Sequence, residues 1–247
     1  MDPLHQFQIK SIFNFSIGHT DVSFSNSSLS MVAVVVIVYT LMMLGMRSRS
    51  VVPGRLQSLA EVLYEFVSGT LRDNAGHEAR PFFPFVFTLF TFILFGNVIG
   101  MIPWVFTFTS HIIVTFAMAI FVFLLVTLVA IVRHGVKFFT SFMPHGVPMW
   151  LAPILIPIEV VSYMSRPISL SIRLFANMMA GHAMMKVFAG FVILMVSGMG
   201  AAGYVAGALP VAVNVALVGF ELMVAFLQAY VFTILTCLYL KDAIHLH

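Results

Sequence analysis

One arginine lies within a long apolar part of this chain, in residues 169–182, SLSIRLFANMMAGH. Arg173 at the centre of a bilayer would cost about 2.5–3.5 kcal/mol on insertion scales, so it persists only where it faces protein or water and has a role. At about 100° per residue, Ser169 and Asn177 share its face of a helix. His182 falls about 180° away if the helix is continuous. The segment therefore predicts a functional intramembrane cation.

Titratable and amide side chains flank this cation on both sides along the chain. Glu159 precedes it, and Glu221 and Gln228 lie seven residues apart on one face of the last apolar segment, which Asn214 also shares. Glutamate and histidine exchange protons near neutral pH once their environment has tuned them. An arginine does not, since its pKa lies above about 12. The pattern predicts two proton half-paths, an inner one and an outer one, on opposite sides of Arg173.

Each of these residues also has an ordinary structural interpretation. His182 is a possible helix-packing residue, and Glu159 lies close to a predicted membrane interface. Gln228 and Asn177 are possible interhelical hydrogen bonders. We assign His182 with Glu221, Asn177, Asn214 and Gln228 to the outer path, because Glu221 is predicted at a matching membrane depth. Glu159 and Ser169 are assigned to the inner path.

Other polar residues of the apolar segments have simpler explanations. Asn97 is expected to be an interhelical hydrogen bonder. Arg166 and Lys186 are expected to extend towards lipid headgroups. The remaining histidines have no ligand-like spacing, so we expect no metal site and no cofactor. Cys237 is the one cysteine, which excludes an intrachain disulfide.

The composition is that of a membrane protein. The chain has 247 residues, of which 61% are hydrophobic and 9% are charged, and its mean hydropathy is +1.06. This predicts an all-α polytopic membrane protein. The net charge of +3 comes from twelve scattered Lys and Arg residues and does not indicate a nucleic-acid partner.

The pattern predicts one membrane domain, residues 1–247, with five transmembrane helices and one interfacial amphipathic helix. The helices are expected at residues 29–46, 55–79 (the amphipathic helix), 82–105, 112–132, 148–196 and 207–240. They follow an outer-side N-terminal segment, residues 1–28. The last two exceed one upright crossing, so they are tilted or broken, the first of them near Pro153, Pro157 or Pro167. Residues 197–203 are expected to form the turn between them.

The loops predict the orientation. Lys10 is the only Lys or Arg on one side of the five spans, whereas eight Lys and Arg residues collect on the other side. By the positive-inside rule the N-terminus is outside and the C-terminus is cytoplasmic.

The stretch 169–182 resembles the signature of subunit a of F-type ATP synthases, and the resemblance extends over most of the chain. It implies a proton-translocating stator subunit without a catalytic site of its own, in a bacterial inner membrane. Its two long tilted helices would lie against a ring of c subunits. Implied partners are that ring, peripheral-stalk b-type subunits, the rest of the ATP synthase and membrane lipid.

The resemblance also implies residue roles. Arg173 matches the arginine that separates the two half-channels and faces a c-subunit carboxylate, and Asn177 matches the asparagine one turn later. Gln228 matches a glutamine that faces the arginine, and Glu159 matches an acid of the inner half-channel. His182 with Glu221 is similar to the arrangement of mitochondrial and related bacterial members.

Other functional classes fit less well. A proton-coupled secondary transporter, with Arg173 binding an anionic substrate, remains the alternative, although no inverted repeat is evident. A voltage sensor needs arginines at every third position, whereas Arg166 and Arg173 are seven residues apart. An intramembrane hydrolase using Ser169 or Ser171 with His182 has the wrong helical phase. A purely structural scaffold leaves Arg173 without a purpose.

Overall fold

The computed structural model describes residues 8–13, 16–17, 20–21, 23–47, 52–102, 105–135, 137–140 and 151–245, and most of them are helical. The α-helices are α1 Asn26–Arg47, α2 Arg55–Ala75, α3 Phe83–Gly100, α4 Ile112–His134, α5 Lys137–Thr140, α6 Ala152–Met199 and α7 Ala201–Ile244. Short 3₁₀ turns precede α3 and α4, at His77–Phe82 and Phe108–Ser110. Before α1, strands β1 Ser11–Phe13 and β4 Phe24–Ser25 pair antiparallel, as do β2 Ser16–Ile17 and β3 Thr20–Asp21.

Five helical segments of the described chain are long and apolar enough to cross a membrane. They are Asn26–Arg47, His77–Gly100, Ile112–His134, Pro153–Met199 and Ala202–Ile244. Helix α2 is not among them, because charged side chains occupy one of its faces. The prediction of an all-α polytopic membrane protein with five spans and one amphipathic helix is confirmed.

The two C-terminal helices are much longer than a bilayer is thick. Helix α6 has 48 residues and α7 has 44, which at 1.5 Å per residue is about 72 Å and about 66 Å, against a hydrocarbon core of about 30 Å. Helix α6 is continuous through Pro157 and Pro167. Pro153 lies in its first turn, where the missing N–H has no helical partner to lose. The length is therefore accommodated without a break, which favours tilted helices.

The turn between the long helices is shorter than the sequence suggested. Helix continues on both sides of the predicted segment 197–203, and Gly200 alone separates α6 from α7. Its φ is +57°, in the left-handed region that favours glycine. The Gly203 N–H donates to the Gly200 carbonyl at 3.0 Å. A side chain at Gly203 would meet the Met195 carbonyl, so a second glycine permits the close return of the chain.

The contacts divide the chain into two compact units, and α1, α3, α6 and α7 each contribute to both. Unit 1 comprises Met1–Thr40, Phe92–His111 and Leu174–Ala229. Unit 2 comprises Leu41–Thr91, Ile112–Arg173 and Tyr230–His247. The single membrane domain of the sequence analysis stays a prediction.

Within unit 2, the amphipathic helix α2 packs its apolar face against protein. Its buried residues recur at helical spacing: Ala60, Leu63, Val67 and Leu71. Tyr64 contacts the edge of Phe83 at a centroid distance of 4.8 Å, and Phe66 contacts Phe90 at 5.4 Å. The opposite face exposes Glu61, Glu65 and Arg72. One side of the helix is thus anchored to α3 and the other is left polar.

Arg166 has partners within the chain. Its Nη1 lies 3.1 Å from Asp242 Oδ2, and its guanidinium lies 5.2 Å from the Tyr163 ring centroid and 5.0 Å from that of Tyr239. The side chain is therefore held between α6 and α7 within unit 2, by an ion pair and two cation–π contacts. Its extension towards lipid headgroups stays a prediction.

Candidate functional site

The structure brings two titratable side chains together in unit 1. His182 of α6 and Glu221 of α7 are each 4% exposed at the side chain, and His182 Nε2 lies 3.6 Å from Glu221 Oε1. Neither carboxylate oxygen of Glu221 is hydrogen-bonded to any described residue. Buried carboxyl groups are almost always hydrogen-bonded, so an exception at membrane depth points to a functional group.

A threonine from the loop after α3 completes the contact. Thr107 Oγ1 donates its proton to the Gly100 carbonyl at 2.8 Å and lies 3.3 Å from His182 Nε2. Since the hydroxyl has only one proton, this pattern makes it the acceptor towards Nε2 and assigns a proton to that ring nitrogen. Glu221 Oε1 lies 3.6 Å from the same ring nitrogen. An imidazole N–H is therefore held close to a carboxyl group by three elements: the loop after α3, α6 and α7.

Gly181 makes room for this carboxyl group. A Cβ at this position would lie 2.7 Å from Glu221 Oε1 and 2.9 Å from its carboxyl carbon. Such distances are below van der Waals contact, so glycine is the residue that lets α7 place a carboxyl group against the backbone of α6. The glycine precedes His182 directly, which explains how one short segment supplies both the partner and the space.

We expect Gly181→Ala to displace the Glu221 carboxyl group without preventing folding, because the obstructed atoms are the flexible end of a side chain. On the sequence-based expectation of a proton-translocating subunit, proton pumping by the assembled complex should fall by about tenfold or more, the scale of loss when a reacting group is misplaced by about 1 Å. Glu221→Asp shortens the side chain, so the double variant should pump better than Gly181→Ala alone. Equal pumping by Gly181→Ala and wild type would contradict this role. Gly190→Ala, which adds a methyl group where no atom lies within 4 Å, is the control.

Helix α3 supports the site from a third side. Asn97 is fully buried, and its Nδ2 donates to the Ala225 carbonyl of α7 at 3.2 Å, one turn after Glu221. This confirms the interhelical hydrogen bond expected of Asn97. Helix α3 ends at Gly100, five residues before the predicted end, because the chain turns there and Thr107 returns to bond the last carbonyl.

The loop that carries Thr107 packs closely against Gly96 of α3. A Cβ at Gly96 would lie 2.5 Å from Phe108 Cζ. We expect Gly96→Ala to destabilise this packing by about 1–3 kcal/mol, the usual cost of overpacking a core. The change should appear as earlier heat-induced loss of helical circular dichroism in the purified protein, with Gly190→Ala behaving as wild type. Unchanged heat-induced loss of this signal in Gly96→Ala would show that the loop adapts freely.

The other predicted site residues are exposed or partly exposed in the described chain. Within unit 1, Asn177, Asn214 and Gln228 are partly exposed, and no hydrogen bond among the described residues links them to the pair. In unit 2, Arg173 and Ser169 are exposed on α6, whereas Glu159 is partly exposed. Arg173 is exposed and His182 is buried, and the roles assigned to them stay predictions.

Sequence reasoning missed Thr107 and Gly181. Thr107 belongs to a run of small polar residues after the second span, and the structure buries three of them, Thr107, Thr109 and Ser110. The run TFTSH was a possible signal, but polar residues between two spans ordinarily indicate a solvated turn. Gly181 lies within residues 169–182, but nothing in the sequence indicates that the carboxyl group of Glu221 packs against it. Among the described residues, no three His, Cys, Asp or Glu side chains cluster as metal ligands would.

Known proteins with similar sequences cover the whole chain. The family profile described as ATP synthase A chain matches residues 28–241. ATP synthase subunit a of Parvibaculum lavamentivorans is 57% identical over 245 residues, 99% of this chain and 94% of that protein. The subunit of Acidiphilium cryptum is 55% identical over 247 residues, 100% of this chain and 98% of that protein. That of Rhodospirillum rubrum is 51% identical over 245 residues, 99% of both.

Proposed function

We propose a function from one established premise: this chain belongs to the ATP synthase A chain family, subunit a of the membrane-embedded Fo sector. In the proposal it provides two offset proton half-channels and couples proton flow to rotation of a ring of c subunits. The observation that carries the proposal is the buried contact between His182 and Glu221. A protonatable pair inside a spanning segment is typical of a proton relay.

The outer half-channel is assigned to this pair. Protons enter past Glu221 and His182, where the imidazole N–H and the carboxyl group lie within 3.6 Å of each other. A small movement of either side chain brings the two groups into hydrogen-bond range, which is the requirement for proton transfer. Asn177, Asn214 and Gln228 supply partly exposed amides that order water or partner groups along this path.

The barrier is assigned to Arg173. Its side chain is exposed on α6 and forms no ion pair with a described residue, as suits a charge whose counterpart belongs to another subunit. A guanidinium stays protonated on burial. A c-subunit carboxyl group that approaches this fixed charge is favoured in its ionised form, so it must release its proton before it passes.

The inner half-channel is assigned to Glu159 and Ser169. The partly exposed carboxyl group of Glu159 receives the released proton about four helical turns before Arg173 along α6. Each proton that crosses the membrane gains about 2.3 kcal/mol per 100 mV. Several protons are therefore needed for each ATP, which a rotating ring of carboxyl groups supplies.

The assembly follows from the same assignment. The exposed face of α6 that carries Arg173 is the proposed contact with the ring of c subunits, and peripheral-stalk b-type subunits hold the chain against the rest of the complex. The proposed location is the bacterial inner membrane, with the N-terminus outside and the C-terminus in the cytoplasm. The chain binds no cofactor in this proposal.

The decisive experiment deletes the chromosomal gene for this chain and measures ATP-driven acidification of inverted membrane vesicles. Deleting this chain should abolish acidification, and supplying it from a plasmid should restore it. ATP hydrolysis by the catalytic head serves as the control, since the head retains its own sites. Acidification that persists without this chain would contradict the proposal and would direct attention to a proton-coupled transporter, for which substrate uptake is the test.

A further inference from the structure

A basic pocket opens in unit 2 where α2 ends and α3 begins. It encloses about 450 Å³. Its polar lining consists of side chains that donate hydrogen bonds: Tyr64, Ser68, Arg72, His77 and Arg80. Among the described residues that line it, none is an aspartate or a glutamate. The pocket therefore offers donors and positive charge to an anion.

The turn after α2 creates this pocket. Gly76 adopts a φ of +79°, and its N–H donates to the Arg72 carbonyl at 3.0 Å. The chain then makes the 3₁₀ turn His77–Phe82 before α3 begins. Arg72 in the last turn of α2 and Arg80 in the 3₁₀ turn are thereby brought to the same cavity.

Both guanidinium groups are available to a ligand. Arg72 Nε lies 3.7 Å from Asp73 Oδ1, and the two side chains are 65% and 72% exposed, so this ion pair is weak. Within the described chain Arg80 forms no ion pair. By contrast, Arg133 Nη1 is only 3.0 Å from Glu78 Oε2, and Glu78 does not line the pocket.

The position of the pocket indicates an amphiphile. It lies between the amphipathic helix and the first turn of a spanning helix, the depth at which lipid headgroups meet acyl chains. Its apolar lining is formed by Leu71, Pro81, Phe83 and Pro84. Arginines bind phosphate through paired N–H groups, and basic clusters beside spans attract anionic lipids.

A second cavity of about 520 Å³ lies across the Tyr64–Phe83 contact and is lined instead by Glu61 and Glu65. Tyr64 and Phe83 line both cavities. A phosphate would be repelled from the acidic cavity and attracted to the basic one. The charge is therefore local to one pocket, which distinguishes a site from a generally positive surface.

We propose that the pocket binds the phosphate headgroup of an anionic phospholipid, with Arg72 and Arg80 as the phosphate ligands and an acyl chain along Phe83 and Pro84. This site is separate from the proposed proton path. Its test reads lipid binding and does not depend on pumping, so the two proposals fail independently.

The test uses the intact ATP synthase in vesicles that contain a phosphatidylglycerol with a photoreactive group in its acyl chain, or phosphatidylcholine with the same chain. Labelled residues are mapped by mass spectrometry. We expect phosphatidylglycerol to label residues 64–84 about tenfold or more above phosphatidylcholine. The Arg72→Gln/Arg80→Gln variant should lose this excess. Arg55→Gln, which removes an exposed charge from the start of α2, should retain it.

Equal labelling by both lipids, or full labelling of the double variant, would overturn the proposal. Inorganic phosphate, compared with chloride at the same ionic strength, is the arm that separates the two phosphate sources: if millimolar phosphate alone abolishes the excess, the pocket prefers free phosphate and the lipid assignment is overturned. Where the double variant does not assemble, Arg80→Gln alone is used, since its side chain is exposed. It should lower the labelling severalfold, and unchanged labelling would again overturn the proposal.

Discussion

Arg173→Ala is expected to abolish ATP-driven acidification of inverted vesicles while the complex still assembles and hydrolyses ATP. Removing one partner of a poorly solvated ion pair costs about 3–5 kcal/mol, and 1.36 kcal/mol is tenfold in rate, so coupled pumping should fall by about 100-fold or more. The passive proton leak after removal of the catalytic head should persist or increase. Without the fixed charge, nothing forces a c-subunit carboxyl group to release its proton between the half-channels.

The opposite responses of pumping and leak identify a barrier. Arg47→Ala is the matched control, because it removes an exposed arginine at the end of α1 and lies outside the proposed path. Arg173→Lys keeps the formal charge, but it should still impair pumping, since an ammonium group can lose its proton on burial and a guanidinium cannot. Normal pumping in Arg173→Ala would remove the central residue of the stator proposal.

Glu221→Gln is expected to lower both pumping and passive leak, by about 100-fold or more. The substitution preserves shape and removes the titratable group, and losing a general acid–base costs about 10²–10⁴ in rate. Pumping and leak should fall in proportion because both would use the proposed outer half-channel. This common fall contrasts with Arg173→Ala, in which only coupling is lost, so the two variants separate a path residue from a barrier residue.

The matched control for this variant is Glu65→Gln, which neutralises an exposed carboxylate of α2. Glu221→Asp retains a carboxyl group at a greater distance from His182 and should retain part of the activity. If Glu221→Gln pumps and leaks as wild type does, protons enter by another route, and the 3.6 Å contact is only a packing feature of unit 1.

The amino-acid sequence by itself determined the membrane class, the five spans and the amphipathic helix. These follow from local properties, because a span must be apolar over its whole length and α2 carries charge at helical spacing. The excess length of the last two helices was evident from the same count. The resemblance of residues 169–182 to a known signature indicated the family, whereas the cost of an intramembrane arginine indicated only that Arg173 is functional.

The tertiary structure alone decided which faces of these helices meet. Thr107 reaches His182 across 75 residues, and Arg166 reaches Asp242 across 76. Helical periodicity places residues on faces, but it does not say which neighbouring helix covers a face. In soluble proteins the contrast between a polar and an apolar face shows which side is buried, and these nearly uniformly apolar helices lack that contrast. The pairing of His182 with Glu221 depends on the turn at Gly200 and on the space left by Gly181. The turn needs a left-handed φ at Gly200, and the space at Gly181 matters only when α7 packs closely against the backbone of α6.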